Sequence, residues 1–84
     1  MVFRLWCGLA QTEAEYRALK PHWMTRTRDS LNDTLWTAMQ CNDAGPEVAW
    51  EIEGDDGSRL NRQEIADLVR LRRAELTATP PRKY

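Results

Sequence analysis

Apolar and polar positions alternate most clearly along Glu47-Val48-Ala49-Trp50-Glu51-Ile52-Glu53. Val48, Trp50 and Ile52 fall on one side, and Glu47, Glu51 and Glu53 fall with Ala49 on the other. Period-two alternation of β-branched and aromatic residues predicts a strand with one buried face. Gly54-Asp55-Asp56-Gly57 then reads as a tight turn. A two- or four-residue turn would place Leu60 opposite a glutamate, on the wrong face. A three-residue loop, Asp55-Asp56-Gly57, pairs Glu53 with Arg59 and Ile52 with Leu60, and puts Gly57 where a left-handed residue is needed. That register predicts a hairpin with Arg59 across from Glu53.

Asn61-Arg62-Gln63-Glu64 is a capping box, in which the first side chain accepts from an otherwise orphaned amide and Glu64 reaches back. Beyond it Ile65, Leu68, Val69, Arg72 and Leu76 keep three- and four-residue spacing, a helical stripe that is apolar except at Arg72. Upstream, Phe3, Leu5 and Cys7 alternate with Val2, Arg4 and Trp6, which predicts a strand joining the later hairpin. Thr12-Glu13-Ala14-Glu15 is a second capping box, opening a short helix through Lys20 with Ala14, Ala18 and Leu19 as its apolar stripe. Pro21 stops or restarts that helix. Residues 21–29 admit two readings: one long helix to Gln40, or a loop or extended piece over Met24–Arg28 followed by a shorter helix from Asp29 or Ser30. Leu31–Gln40 is helical in both. Asn42–Pro46 is a loop by its turn chemistry.

The pattern therefore predicts an α+β fold in the order β-α-α-β-β-α: a three-stranded, mainly antiparallel sheet with helices on one face. Residues 1–76 would form one domain, and residues 77–84, with a double proline and no periodicity, a flexible tail. Phe3, Leu5, Leu31, Leu35, Val48, Trp50, Ile52, Leu60, Ile65, Leu68 and Val69 are the expected core. Eighty-four residues bury a modest core, which a partner or a homodimer would enlarge.

Charge changes the picture more than composition does. The net charge is −1, yet residues 42–57 hold six acids and no base. Residues 58–84 hold seven bases against three acids. The absence of a signal peptide pattern and of a long apolar run gives a cytoplasmic expectation with no membrane partner. In a reducing compartment Cys7 and Cys41, outside any CxxC pattern, are expected to be small buried hydrophobes. Cys7, Cys41 and His22 lack an evident fourth ligand, so no metal is expected. With one histidine, no GxSxG turn and no glycine-rich phosphate loop, the sequence nominates no catalytic residue and no cofactor.

Two functional readings follow. The order of elements is similar to that of the KH module, which clamps single-stranded nucleic acid with a GXXG loop between its first two helices. Here that connection carries no glycine, but Lys20, His22, Trp23, Arg26 and Arg28 supply charge and stacking surface. The other reading is a non-catalytic protein-interaction or regulatory module. Its docking patch would be the acidic hairpin face, Glu47, Glu51 and Glu53 with Asp55 and Asp56, held in register by the sheet.

Overall fold

A computed structural model describes residues 1–78. The hairpin is as the register argument requires: Ile52 pairs with Leu60 and Glu53 with Arg59. Gly54 N–H donates to Ser58 O at 2.9 Å, and Gly57 takes φ +89° at the end of the three-residue loop. Its strands are β3 (Val48–Gly54) and β4 (Arg59–Asn61). They join β1 (Phe3–Gly8), which is antiparallel to β3.

The expected three strands are corrected to four among the described residues. Residues 21–29 take the extended alternative: a 3-10 turn over Lys20–His22 is followed by a short strand, β2 (Arg26–Arg28), antiparallel to β1. The order becomes β-α-β-α-β-β-α, and the sheet runs β2-β1-β3-β4. The intervening strand removes the likeness of element order to the KH module. Both sheet edges are strands of three residues, a short and charged kind of edge that resists pairing with other chains.

Three α-helices complete the described residues: α1 (Glu13–Leu19), α2 (Leu31–Ala44) and α3 (Arg62–Ala78). Each begins on a side-chain cap. Thr12 Oγ1 accepts from Glu15 N–H at 3.2 Å and Ser30 Oγ from Asp33 N–H at 3.1 Å. Asn61 and Glu64 form the reciprocal box, at 2.9 and 3.0 Å. The α3 helix continues past Leu76 to Ala78; the rest of the expected tail, 79–84, lies outside the described residues.

Helices on one face is also corrected. Phe3, Leu5, Ala49 and Ile52 of the sheet meet Leu35, Ala38 and Met39 of α2 and Ile65, Val69 and Leu76 of α3 in the main core. Side-chain bonds lace those helices together: Arg72 donates to Asn32 at 2.8 Å, Asn32 donates to Glu75 at 3.0 Å, and Arg73 grips Asp43 at 3.1 Å through two hydrogen bonds. A second cluster lies on the opposite face, where Ala10, Tyr16 and Trp50 are buried with Trp6, Trp23 and Val48 against them.

The reason is a bulge. Between β1 and β3, Trp6 pairs with Glu51 but Cys7 pairs with Ala49, so Trp50 is an extra residue. One inserted residue reverses the inside-outside alternation beyond it. Ala49, expected beside the glutamates, joins Ile52 in the main core, and Trp50 turns to the outer face beside Glu51. The expected stripe of α1 is overturned as well: Ala14, Ala18 and Leu19 are exposed, and the helix is anchored by the buried Tyr16. No helix of the described residues is long and apolar enough to cross a membrane.

Candidate functional site

Of the acids that the alternation singled out, Glu51 and Glu53 lie on the outer face of β3 and Glu47 does not, and each meets a donor from within the fold. Glu51 lies deepest, its side chain only 13 % exposed. Tyr16 Oη donates to its Oε1 at 2.6 Å, Lys20 Nζ to the same atom at 2.7 Å, and Arg59 to Oε2 at 3.0 Å. Glu51 is therefore bonded within the fold and not solvated like a surface carboxylate. Burial pushes the Glu51 carboxyl up, but the hydrogen bonds from Lys20, Tyr16 and Arg59 outweigh it and hold the group below the ordinary carboxylate value. Burial and donation to that carboxylate push the Tyr16 hydroxyl well above an ordinary tyrosine.

The other acids sit nearer water. Glu47 faces Arg26 at 3.3 Å, Glu53 faces Arg59 at 3.5 Å, and Asp55 faces Arg4 at 3.0 Å. Asp56 accepts from the hydroxyl and amide of Ser58, at 2.6 and 3.0 Å, and these bonds lower its carboxyl. Four acids on this face, Glu51, Glu53, Asp55 and Asp56, thus stand against three bases, Arg4, Lys20 and Arg59, while Glu47 pairs with Arg26 on the other side of the sheet. The bases come from strands and a turn distant in sequence, so a count over residues 42–57 does not contain them.

The residues of the basic connection are not brought together. Lys20 lies on the outer face, 4.5 Å over the Trp6 ring and bonded to Glu51. Trp23 is half-buried there, its ring so close to Gly8 that a Cβ would stand 2.5 Å from it. His22 is exposed in the 3-10 turn. Arg26 and Arg28 lie on β2 opposite Leu5 and Phe3, whose side chains face the main core. Arg26 reaches Cys41 of α2, and Arg28 donates to Thr27 O at 2.7 Å. The sheet separates the stacking surface from these two guanidiniums.

A groove of about 1030 Å³ runs between α1 and the corner where β4 enters α3. Tyr16 and Trp50, stacked at 5.2 Å with their planes 6° apart, form its wall. The Trp50 indole N–H is spent on Ala10 O at 3.2 Å. Arg62 holds its guanidinium 4.7 Å over the same indole, a cation–π arrangement. Arg17, Arg59 and Gln63 also line this concave surface. Periodicity carried no signal for the groove, because Tyr16 is a lone apolar anchor and Trp50 changes sides at the bulge.

The structure does bring together the two cysteines. Cys7 donates to Cys41 across 3.0 Å, and Arg26 Nη1 lies 3.0 Å from the Cys41 sulfur. Both are free, with Cys41 buried and Cys7 partly buried against the main core, as expected of small buried residues, and they also touch each other. Among the described residues, no group of three or more His, Cys, Asp or Glu is arranged to hold a metal ion. No protein-family model, curated protein sequence or solved structure matches the chain.

Proposed function

We propose that the chain is a small non-catalytic interaction module that takes an acidic segment of a partner protein in the groove between α1 and the β4–α3 corner. The observation that carries this reading is the Arg62 guanidinium, held over the Trp50 indole at 4.7 Å on the groove wall. Arg, Trp and Tyr are the residue types that most often anchor protein interfaces. Here they meet beside the amino-terminal end of α3, where the helix dipole favours negative charge. A guanidinium resting on an aromatic face is preorganised, so less entropy is lost when it takes a carboxylate.

The acidic hairpin remains the other docking surface that the sequence suggests. Its support is weaker, since four bases of the fold offset its five acids and leave little net field to steer a basic partner. The nucleic-acid reading is weaker still, with Lys20 and Trp23 on one face of the sheet and Arg26 and Arg28 on the other.

One NMR experiment distinguishes the three. The labelled protein is titrated separately with an acidic peptide, a basic peptide and a single-stranded oligonucleotide. The groove reading expects the acidic peptide to shift Arg17, Arg59, Arg62 and Gln63 signals saturably, and Arg62→Ala to abolish the response. Saturable shifts at Glu53, Asp55 and Asp56 with the basic peptide alone would move the site to the hairpin. Tight oligonucleotide binding that weakens steeply with salt and depends on Arg26 and Arg28 would replace the interaction reading altogether.

A further inference from the structure

The chain places its two cysteines, distant in sequence, in direct contact, and sets a guanidinium against one of them. Cys7 lies on β1 and faces the main core beside α2. Cys41 lies on the face of α2 that carries Ala38, one turn away, onto the sheet. Their sulfurs are 3.0 Å apart, with Cys7 as donor and Cys41 as acceptor. Arg26, from the edge strand, completes the site at 3.0 Å from the Cys41 sulfur, and a second amino group of Arg26 holds Glu47 at 3.3 Å.

We propose that Cys7, Cys41 and Arg26 form a redox site that is oxidised by a small peroxide to an intramolecular disulfide and restored by thiol reductants.

The two sulfurs have different roles. The hydrogen bond from Cys7 lowers the Cys41 thiol below its ordinary value; burial opposes it, Arg26 and Arg28 reinforce it, and Glu47 counters them. Cys7 moves the other way, well above an ordinary thiol, because it keeps its proton to donate to Cys41 and is itself partly buried. The thiolate is the nucleophilic form of cysteine, and an adjacent guanidinium is a known way to favour it. Cys41 is therefore the sulfur that reacts first and Cys7 the one that resolves. Cys41 is only 5 % exposed, which favours a peroxide over a bulky disulfide reagent.

In the first step a lone pair of the Cys41 thiolate attacks one peroxide oxygen. The sulfur–oxygen bond forms, the oxygen–oxygen bond breaks, and hydroxide leaves to take up the proton that Cys41 released, giving water and a Cys41 sulfenic acid. In the second step the Cys7 sulfur attacks the Cys41 sulfur. The disulfide forms, the sulfur–oxygen bond breaks, and the departing hydroxide takes the Cys7 proton as a second water. The two sulfurs together lose two electrons and the peroxide gains them. Bond closure needs an approach of about 1 Å from the present contact. Sulfenic acid formation and its capture by a neighbouring thiol is the reversible branch of cysteine oxidation. Oxidation also removes the anionic sulfur from Arg26, leaving that guanidinium to Glu47.

The test exposes the reduced, folded protein to equimolar hydrogen peroxide, blocks remaining thiols, and reads intact mass and peptide cross-links. The expected result is the loss of two hydrogens, a Cys7–Cys41 cross-linked peptide, and full reversal by dithiothreitol. Cys7→Ser should instead trap a sulfenic acid on Cys41 that a dione probe labels. Arg26→Gln should slow oxidation roughly 3- to 10-fold and shift the pH midpoint of ultraviolet thiolate absorbance upward, with Arg26→Lys restoring both. These readouts follow the ionisation of one sulfur, which a merely structural Arg26 would not move. Oxidation of the wild-type protein without a Cys7–Cys41 cross-link overturns the proposal, as does an unchanged rate in a folded Arg26→Gln variant.

Discussion

Replacing Glu51 by alanine tests the view that this glutamate holds the outer layer together and is not part of a solvated face. The substitution leaves Tyr16 Oη, Lys20 Nζ and Arg59 without their shared acceptor. Tyr16 is only 6 % exposed, and a buried hydroxyl deprived of its partner costs about 1–3 kcal/mol. Lys20, with its side chain 28 % exposed, would regain water and adds about 0.2–1 kcal/mol. Arg59, mostly exposed, is screened and adds little. The expected loss is about 2–3 kcal/mol, a fall of roughly 8–24 °C in the thermal midpoint of a domain this small. Circular dichroism melts read it directly. The diagnostic is a double-mutant cycle: Glu51→Ala should cost about 1 kcal/mol less in a Tyr16→Phe background than in the wild type. The pH sign follows from the direction of the shift. Since the carboxyl lies below its ordinary value in the fold, its contribution is whole above the ordinary carboxylate range and is lost as pH falls through the lowered value. A loss under about 0.5 kcal/mol, or strict additivity with Tyr16→Phe, would refute the reasoning.

Trp50→Ala should cost about 3–5 kcal/mol in chemical denaturation, as large aromatics in cores do; a loss below about 1 kcal/mol would contradict its place against Tyr16 and Ala10. Gly8→Ala would set a Cβ 2.5–2.8 Å from atoms of the Trp23 ring. The ring must move, so tryptophan emission should shift, and an unchanged spectrum would show that Trp23 does not lie on β1. Oxidation to the Cys7–Cys41 disulfide would close a loop whose ends are 34 residues apart. The oxidised protein should then be about 3–4 kcal/mol more stable than the reduced one on chain-entropy grounds, and calorimetry showing a lower midpoint would mean that closing the bond distorts the packing of β1 on α2.

Local signals were legible in the sequence wherever a few adjacent residues decide the outcome. The three-residue loop, the Arg59–Glu53 pairing and the Asn61 capping box follow from turn chemistry and side-chain reach, and the structure has all of them; Thr12 caps its helix too, although Glu15 reaches back to the Gln11 amide. The α2–α3 core followed from helical spacing at Leu35, Ile65 and Val69. What stayed hidden depends on residues distant in sequence. Strand β2 is three polar residues, Arg26-Thr27-Arg28, with no alternation of its own; β1 supplies the ladder that makes it a strand. The acids of the hairpin read as a strongly negative face because the bases that meet them are distant in sequence: Arg4 and Lys20 reach the outer face from β1 and the 3-10 turn, and Arg26 of β2 draws Glu47 to the other side of the sheet. The groove and the thiol pair were equally out of reach, each built from elements that meet only in the folded chain.

The bulge at Trp50 explains why the two sites belong to one design. With unbroken alternation beyond Ile52, Trp50 would point into the main core opposite Cys7, and Ala49 would lie outside among the glutamates. A tryptophan there would fill the space between β1 and α2 in which Cys7 now meets Cys41. The inserted residue turns the indole outward to stack on Tyr16 and wall the groove, and brings Ala49, the smallest side chain on that strand apart from glycine, opposite Cys7. Asn42, next to Cys41 on α2, accepts the Ala49 amide at 2.9 Å and fixes the backbone at this point. That bond ties the helix bearing the reactive sulfur to the residue beside the irregularity. A change that restored regular pairing between Trp6 and Gly8 would therefore disturb the aromatic wall and the thiol contact together, although they lie on opposite faces of the sheet.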